Sequence, residues 1–261
     1  MTALAARRRH PLATAALVMI GLFVMGVLYA AATPGRANAA STAADDISTG
    51  KKLFLSNCST CHGTNAEGRR NAPSLVGVGA AAVDFQVGSG RMPMAENGPQ
   101  APAVNPVRFS EDEIRQLAAY VASLGPGPAI PDEADIDPAK GDVARGALIF
   151  RTNCAVCHNL TGKGGALTRG KYAPNLTGVA PKEIYEAMVT GPQQMPVFTD
   201  QTIPMEGKRD IAAYLKSVED TPSAGGLALG SLGPVTEGLV GWVLGLGLLI
   251  GCAVWLGAKA S

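Results

Sequence analysis

Two copies of the sequence Cys-x-x-Cys-His constrain this 261-residue chain more than any other feature. The motif residues are Cys58, Cys61 and His62 in the first copy, and Cys154, Cys157 and His158 in the second. The two copies hold four of the five cysteines, and the third histidine, His10, is far from both in the sequence. Nearly all thiols and imidazoles of the chain are therefore concentrated at two points.

The spacing within each motif is typical of covalent haem attachment. Cys-x-x-Cys-His is the signature of c-type haem. Two cysteines three residues apart share one face of a helix, so both thiols can reach the two vinyl groups on one edge of the haem. The adjacent imidazole can then approach the iron. The sequence therefore predicts two covalently bound haem c groups.

Three other functions of a Cys-x-x-Cys-His motif fit this sequence less well. A thioredoxin-type redox pair would follow a strand, whereas an amphipathic helix is predicted before each motif. A zinc site made of these residues would lack a fourth ligand in either copy. A structural disulfide is compatible with an exported protein, but it does not explain the histidine that follows.

A Met-Pro pair follows each motif, and it favours haem over these alternatives. A thioether opposite a histidine is the arrangement of cytochrome c and raises the reduction potential. We therefore predict that the iron ligands are His62 with Met92 and His158 with Met195. Methionines that stay open as alternatives are Met94 in the first copy, and Met188 and Met205 in the second.

Each motif is also followed by a proline, Pro73 or Pro174, at 11 and 16 residues after the respective histidine. A ligating imidazole needs a partner for its second nitrogen, and a backbone carbonyl is a frequent one. A proline in such a place can equally be a simple turn residue. Both interpretations stay open on the residues alone.

The middle of the chain is a tandem duplication with the same order of motifs in both copies. We expect an all-α fold with no convincing strand. A capping box at Ser110 and Glu113 predicts a helix that runs to about Leu124, and a similar helix is expected over 207–218. The predicted divisions are an N-terminal membrane segment (1–44), domain 1 (45–126), a proline-rich acidic linker (127–141), domain 2 (142–220), a second linker (221–238) and a transmembrane helix (239–258).

Both ends of the chain carry long uncharged runs. Residues 12–32 and 239–258 are 21 and 20 residues long, about the length that a spanning helix needs. Basic residues at 7–9 and 259 favour cytoplasmic termini, so the repeats should lie on the outer face of the cell membrane. The first run predicts a retained anchor, but Ala37-Asn38-Ala39 leaves a cleaved signal open. The net charge of +1 gives no basic field, so no nucleic acid is expected as a partner.

Each repeat resembles a small class I cytochrome c domain. In that family a glycine and an aromatic residue on the first helix pack across an aliphatic and an aromatic residue on the last. The matching residues are Gly50, Phe54, Leu117 and Tyr120 in the first copy, and Gly146, Phe150, Ile211 and Tyr214 in the second. The resemblance implies that the carbonyls of Pro73 and Pro174 hold the proximal histidines.

The whole chain is similar to the dihaem cytochrome c subunit of the actinobacterial cytochrome bc complex. That resemblance implies a subunit of a menaquinol–cytochrome c reductase that has no substrate site of its own. The implied partners are cytochrome b and a Rieske iron–sulfur protein, an aa-type cytochrome c oxidase in the same supercomplex, and membrane lipid. The subunit would relay electrons from the Rieske centre to the oxidase. Alternatives are a dihaem subunit of a haem–copper oxidase and a self-contained dihaem enzyme of the peroxidase or thiosulfate dehydrogenase type.

Overall fold

The computed structural model describes residues 11–32, 36–70, 72–96, 98–221, 229 and 234–260. The arginines at 7–9 and most of the second predicted linker lie outside the described residues. The helices are α1 (Pro11–Ala32), α2 (Arg36–Asn57), α3 (Ser59–His62), α4 (Gly79–Gly88), α5 (Glu111–Ala122), α6 (Glu133–Ile136), α7 (Val143–Asn153), α8 (Ala155–His158), α9 (Pro181–Thr190), α10 (Met205–Asp220) and α11 (Pro234–Ala260).

The predicted all-α fold class is confirmed, with one small correction. Two antiparallel strands of two residues each, β1 (Gly165–Ala166) and β2 (Tyr172–Ala173), pair in the second half of the chain. The expectation of no strand was therefore wrong in this detail. Strands this short cannot show the alternation of polar and apolar residues from which a strand is predicted.

The core of the first half forms where α2 crosses α5. Gly50 lies at the crossing, and the rings of Phe54 and Tyr120 pack with their centroids 5.3 Å apart. Helix α5 begins at the predicted capping box, in which the Ser110 backbone N–H donates to Glu113 Oε2 at 2.9 Å. The cap satisfies backbone donors that the first turn of a helix leaves unpaired. This half therefore has the helix crossing expected from its sequence.

The second half repeats this crossing with α7 and α10. Gly146 lies at the crossing, and the rings of Phe150 and Tyr214 are 5.4 Å apart. A buried carboxylate strengthens the junction, because Asp210 accepts the Asp142 backbone N–H at 2.7 Å and forms an ion pair with Arg145. Burial of a charge is tolerated only when it is paired and hydrogen-bonded in this way.

Helix α4 lies between the two halves and is buried on two faces. Val83 and Val87, four residues apart, belong to the core of the first half. Ala81 and Phe85 are also buried, and α4 packs against α9 of the second half. The Lys182 Nζ in α9 forms an ion pair with Asp84 Oδ2 in α4 at 2.6 Å. The two halves are therefore in direct contact.

The segment between the halves also packs against them. The Pro128 carbonyl accepts the Ala81 backbone N–H at 3.1 Å, which joins the start of this segment to α4. Further along, Ile136 at the end of α6 is buried, and α6 contacts α9 and α10. Asp132 and Glu133 of this segment are exposed, whereas Asp135 and Asp137, on either side of Ile136, are half-buried.

Helices α1 and α11 are long and apolar enough to cross a membrane, over Leu12–Tyr29 and Val235–Lys259. None of the side chains in either span is buried by the rest of the chain. Trp242 and Trp255 lie on the second span, as interfacial aromatic residues do in membrane helices. Two exposed apolar helices fit anchoring of the chain in a membrane.

Candidate haem-binding sites

The first motif occupies a single kinked turn at the end of α2. Cys58 follows that helix, and its backbone N–H still donates to the Phe54 carbonyl at 2.8 Å. Helix α3 then carries Cys61 and His62, with the His62 backbone N–H donating to the Cys58 carbonyl at 2.9 Å. Both thiols and the imidazole are therefore presented from one turn, as haem attachment requires.

The second motif has the same local structure. The backbone angles are φ −118° and ψ −33° at Cys154, against φ −119° and ψ −31° at Cys58. Its hydrogen bonds repeat as well, because the His158 backbone N–H donates to the Cys154 carbonyl at 2.9 Å. Two segments that the sequence aligns therefore adopt one conformation.

Both histidines form hydrogen bonds with the proline carbonyls named above. His62 Nδ1 lies 2.8 Å from the Pro73 oxygen, and His158 Nδ1 lies 3.1 Å from the Pro174 oxygen. Because a carbonyl only accepts, each Nδ1 carries the proton and each Nε2 keeps a lone pair for a metal. The two prolines therefore fit the positioning role that the resemblance implies better than the role of simple turn residues.

The pKa values of Cys58 and Cys154 oppose a thiolate redox pair, and the pKa of His158 fits a metal ligand. Burial raises the pKa of the Cys58 thiol to about 11, and the neighbouring Cys61 adds to this shift. Burial also raises the pKa of Cys154 to about 11. A thioredoxin-type cysteine would instead have a lowered pKa. At His158, burial lowers the pKa, which favours the neutral imidazole that binds a metal.

The structure places four of the candidate methionines. In the first half, Met92 and Cys58 both pack against the core. In the second half, a cavity of about 160 Å³ is lined by Cys154, Cys157 and His158 together with both Met195 and Met188. Met195 is half-buried, whereas Met188 belongs to the buried core. Met205 begins α10 and is not among the residues that line the cavity.

Three residues of the first half also line this cavity, and the sequence did not predict them. Phe85 comes from α4, Arg91 directly precedes Met92, and Gln100 lies in a proline-rich loop that only the first copy contains. Gln100 Nε2 donates to the Tyr172 carbonyl at 2.8 Å, and the Tyr172 N–H donates to Gln100 Oε1 at 2.9 Å. The extra loop is the sequence feature that could have indicated this contact. Which residues the loop contacts depends on the tertiary structure.

The side chains present fit a covalently held haem better than a bound metal ion. Within the part of the chain that the structure describes, no group of three or more His, Cys, Asp and Glu side chains is placed to hold a metal ion. Each half instead offers two thiols and one oriented imidazole, and in the second half the thioethers of Met188 and Met195 line the same cavity. This donor set matches the attachment and axial ligands of haem c.

Comparison with known proteins assigns the family. Residues 47–125 match the family model described as cytochrome c, and residues 141–215 match the one for cytochrome c oxidase, cbb3-type, subunit III. The cytochrome bc1 complex cytochrome c subunit of Corynebacterium diphtheriae is 46% identical over 272 residues, which cover 97% of this chain and 95% of that protein. The chain belongs to the family of cytochrome bc1 complex cytochrome c subunits.

Other members of this family match over nearly the same length. The cytochrome bc1 complex cytochrome c subunit of Mycobacterium tuberculosis H37Rv is 42% identical over 262 residues, covering 97% of this chain and 93% of that subunit. The cbb3-type cytochrome c oxidase subunit FixP of Sinorhizobium medicae is 30% identical, but over 138 residues that cover only 50% of this chain and 44% of FixP. Membership in the bc1 subunit family implies a respiratory electron-transfer role and covalently bound haem c.

Proposed function

We propose that this chain is the dihaem electron-transfer subunit of a menaquinol–cytochrome c reductase. It relays electrons from a Rieske iron–sulfur centre to a terminal oxidase. The observation that carries the proposal is the pair of equivalent sites, in each of which a histidine Nδ1 hydrogen-bonds a proline carbonyl. Membership in the bc1 subunit family supports the choice of complex.

In this proposal the chain holds two haem c groups. The thiols would attach them, the histidines and methionines would bind the iron, and the prolines would orient the imidazoles. The proposed site residues are Cys58, Cys61, His62, Pro73 and Met92 in the first site, and Cys154, Cys157, His158, Pro174 and Met195 in the second. Haem c supplies one-electron oxidation and reduction when it is bound.

The protein residues account for a role without substrate chemistry. Each site offers an imidazole and a thioether, so the chain itself would supply both protein ligands of the iron. Burial raises the pKa of the Cys58 and Cys154 thiols to about 11, so these two thiols are protonated at neutral pH before they react. No residue of the sites is therefore required to act as a general acid or base, and the oxidoreductase activity belongs to the assembly.

The same reasoning gives the location and the partners. Helices α1 and α11 anchor the chain as two spans, and the two haem domains lie on the outer face of the membrane. Lys259 directly follows the second apolar run, which supports a cytoplasmic C-terminus. The partners are cytochrome b and the Rieske subunit within the complex, and an aa-type cytochrome c oxidase in a supercomplex.

One alternative of the same chemical class has an observation in its favour. Residues 141–215 match a subunit of cbb3-type oxidase, and FixP is 30% identical over half of the chain. A dihaem subunit of a haem–copper oxidase would use the same two sites with different partners. The two alternatives therefore differ in what is purified with the chain.

The test is a reduced-minus-oxidised visible spectrum of the C-terminally tagged full chain, extracted in a mild detergent. We expect two haem c per chain, together with b-type and a-type haem bands from the partners. A matched chain that ends before Pro234 lacks α11 and should keep its c-type band while losing most of the b-type band. A c-type band without a b-type band would overturn the assignment to a quinol-oxidising complex.

A second readout addresses the relay itself. Addition of a menaquinol analogue to the purified assembly should reduce the c-type haem, and removal of the Rieske subunit should abolish that reduction. Reduction that persists without the Rieske subunit would refute the proposed order. Turnover of peroxide or thiosulfate by the isolated chain would instead favour the self-contained dihaem enzyme.

A further inference from the structure

The cavity of the second site is built from both halves of the chain. Its motif residues come from the second half, but one wall is formed by Phe85, Arg91 and Gln100 of the first half. Helix α4 makes this possible because its second buried face, with Ala81 and Phe85, is turned away from its own core. The second site is therefore incomplete without the first domain.

Three interactions hold this wall in place. The Arg91 guanidinium lies over the Phe85 ring, 4.9 Å from the ring centroid. Gln100 forms two hydrogen bonds with the backbone of Tyr172, which also lines the cavity. The ion pair between Asp84 and Lys182 joins α4 to α9 beside them. The wall that carries Arg91 is thus held by one contact within the first half and by two sets of contacts across the domain boundary.

The charge of Arg91 is the unusual feature of this wall. Its side chain is half-buried, and among the described residues no carboxylate lies within ion-pair distance of its guanidinium. Glu183 of α9, which lines the same cavity, acts on the Arg91 charge electrostatically but does not form an ion pair with it. An arginine stays charged at any physiological pH, and a partly buried charge is stabilised by an anion. A haem carries two carboxylate groups, and these are anions of the required kind.

We propose that Arg91 of the first domain sets the reduction potential of the second haem. The inference rests on the proposed two-haem function and adds a positioning and tuning residue that neither Cys-x-x-Cys-His motif contains. A fixed positive charge beside a haem favours the reduced form, which carries one positive charge less. Removal of that charge should therefore lower the reduction potential of the second haem.

The experiment is a redox titration of the detergent-extracted assembly that compares Arg91→Gln with Arg115→Gln. Both changes remove one positive charge, but Arg115 is exposed on α5 and pairs with Asp46 and Asp112. We expect Arg91→Gln to lower the reduced-to-oxidised ratio of one haem c by roughly three- to tenfold, and a tenfold change corresponds to about 59 mV. Arg115→Gln should leave the reduction potentials of both haems unchanged. Arg91→Lys keeps the positive charge and should therefore keep most of the wild-type potential.

A second variant, Met92→His, identifies the haem whose reduction potential depends on Arg91. In Met92→His the first haem should titrate at a much lower potential, because an imidazole replaces its thioether. The remaining high-potential wave then belongs to the second haem, and Arg91→Gln should lower it. A shift of the first wave alone, or no shift of either, would overturn the inference. A Met92→His variant with both waves in place would refute the ligand assignment instead, and the comparison with Arg115→Gln would still test Arg91.

Discussion

The two helix crossings predict that an added methyl group at Gly50 will destabilise the first domain. An alanine Cβ at this position would lie 2.5 Å from the Gln116 carbonyl carbon and 3.0 Å from Tyr120 Cβ. Carbon atoms in favourable contact are about 3.5–4.0 Å apart. The two helices must therefore separate by about 1 Å, because a backbone carbonyl cannot rotate out of the way.

The sign of the net effect follows from the magnitudes. Alanine favours a helix over glycine by about 1 kcal/mol, which opposes the steric cost. Overpacking of a close contact costs about 1–3 kcal/mol, and a gap of 0.5–1 Å forfeits about a quarter to a half of the dispersion energy across the crossing. The core residues Phe54, Leu117 and Tyr120 all lie at this crossing. We expect a net loss of about 2 kcal/mol, or roughly 8–16 °C in Tm for a domain of this size.

The assay is thermal unfolding of the haem-loaded, detergent-extracted chain, followed by circular dichroism in the haem absorption band. Gly88→Ala is the matched control, because a Cβ at that helical position meets nothing within 4 Å. It should be neutral or stabilise the domain by up to about 1 kcal/mol. The reasoning is refuted if Gly50→Ala unfolds at or above the wild-type temperature, or if both variants lose the same stability.

Two further predictions concern the second domain. Burial, with a contribution from Asp84, raises the pKa of Glu186 to about 9, so the folded chain holds a proton that the unfolded chain loses above about pH 4.5. The free energy of unfolding should therefore fall as pH rises towards 9. Relative to the wild type, Glu186→Gln should gain up to about 1.4 kcal/mol per pH unit, measured by urea unfolding at several pH values. A difference between the two proteins that does not depend on pH would contradict this. Met195→Ala should remove the second haem's share of the near-infrared absorption of thioether-ligated ferric haem and leave the share of the first haem, whereas Met188→Ala should keep both shares and cost about 2–5 kcal/mol in unfolding free energy. Loss of the second haem's share in Met188→Ala alone would reverse the assignment.

Local sequence signals predicted the parts of the sites that lie close together in the chain. The three residues of each motif lie within five positions, so one helical turn is enough to bring both thiols and the imidazole together. The capping box at Ser110 is equally local, and its two hydrogen bonds form as expected. The glycine and aromatic residues of the crossing helices needed the resemblance to cytochrome c, because their partners are about 60 residues away in the sequence.

The contacts between the domains could not be predicted from the sequence. In α4 every second residue from Gly79 to Val87 is buried, a period that by itself suggests a strand. It arises because two partners cover two faces of one helix, which no single-helix pattern reveals. The same holds for Gln100, whose loop has no counterpart in the second copy, and for Met188, whose place beside the cavity depends on how α9 packs.

The packed segment between the two halves decides how they can move. A flexible tether would let the two halves diffuse relative to each other. The rate at which they meet would then depend on their effective concentration and on solvent viscosity. Here the Pro128 carbonyl is bonded to α4, and Ile136 is buried against the helices of the second half. Such a segment acts as a spacer, so we expect electron exchange between the two proposed haems to take place at a fixed separation without a diffusional step.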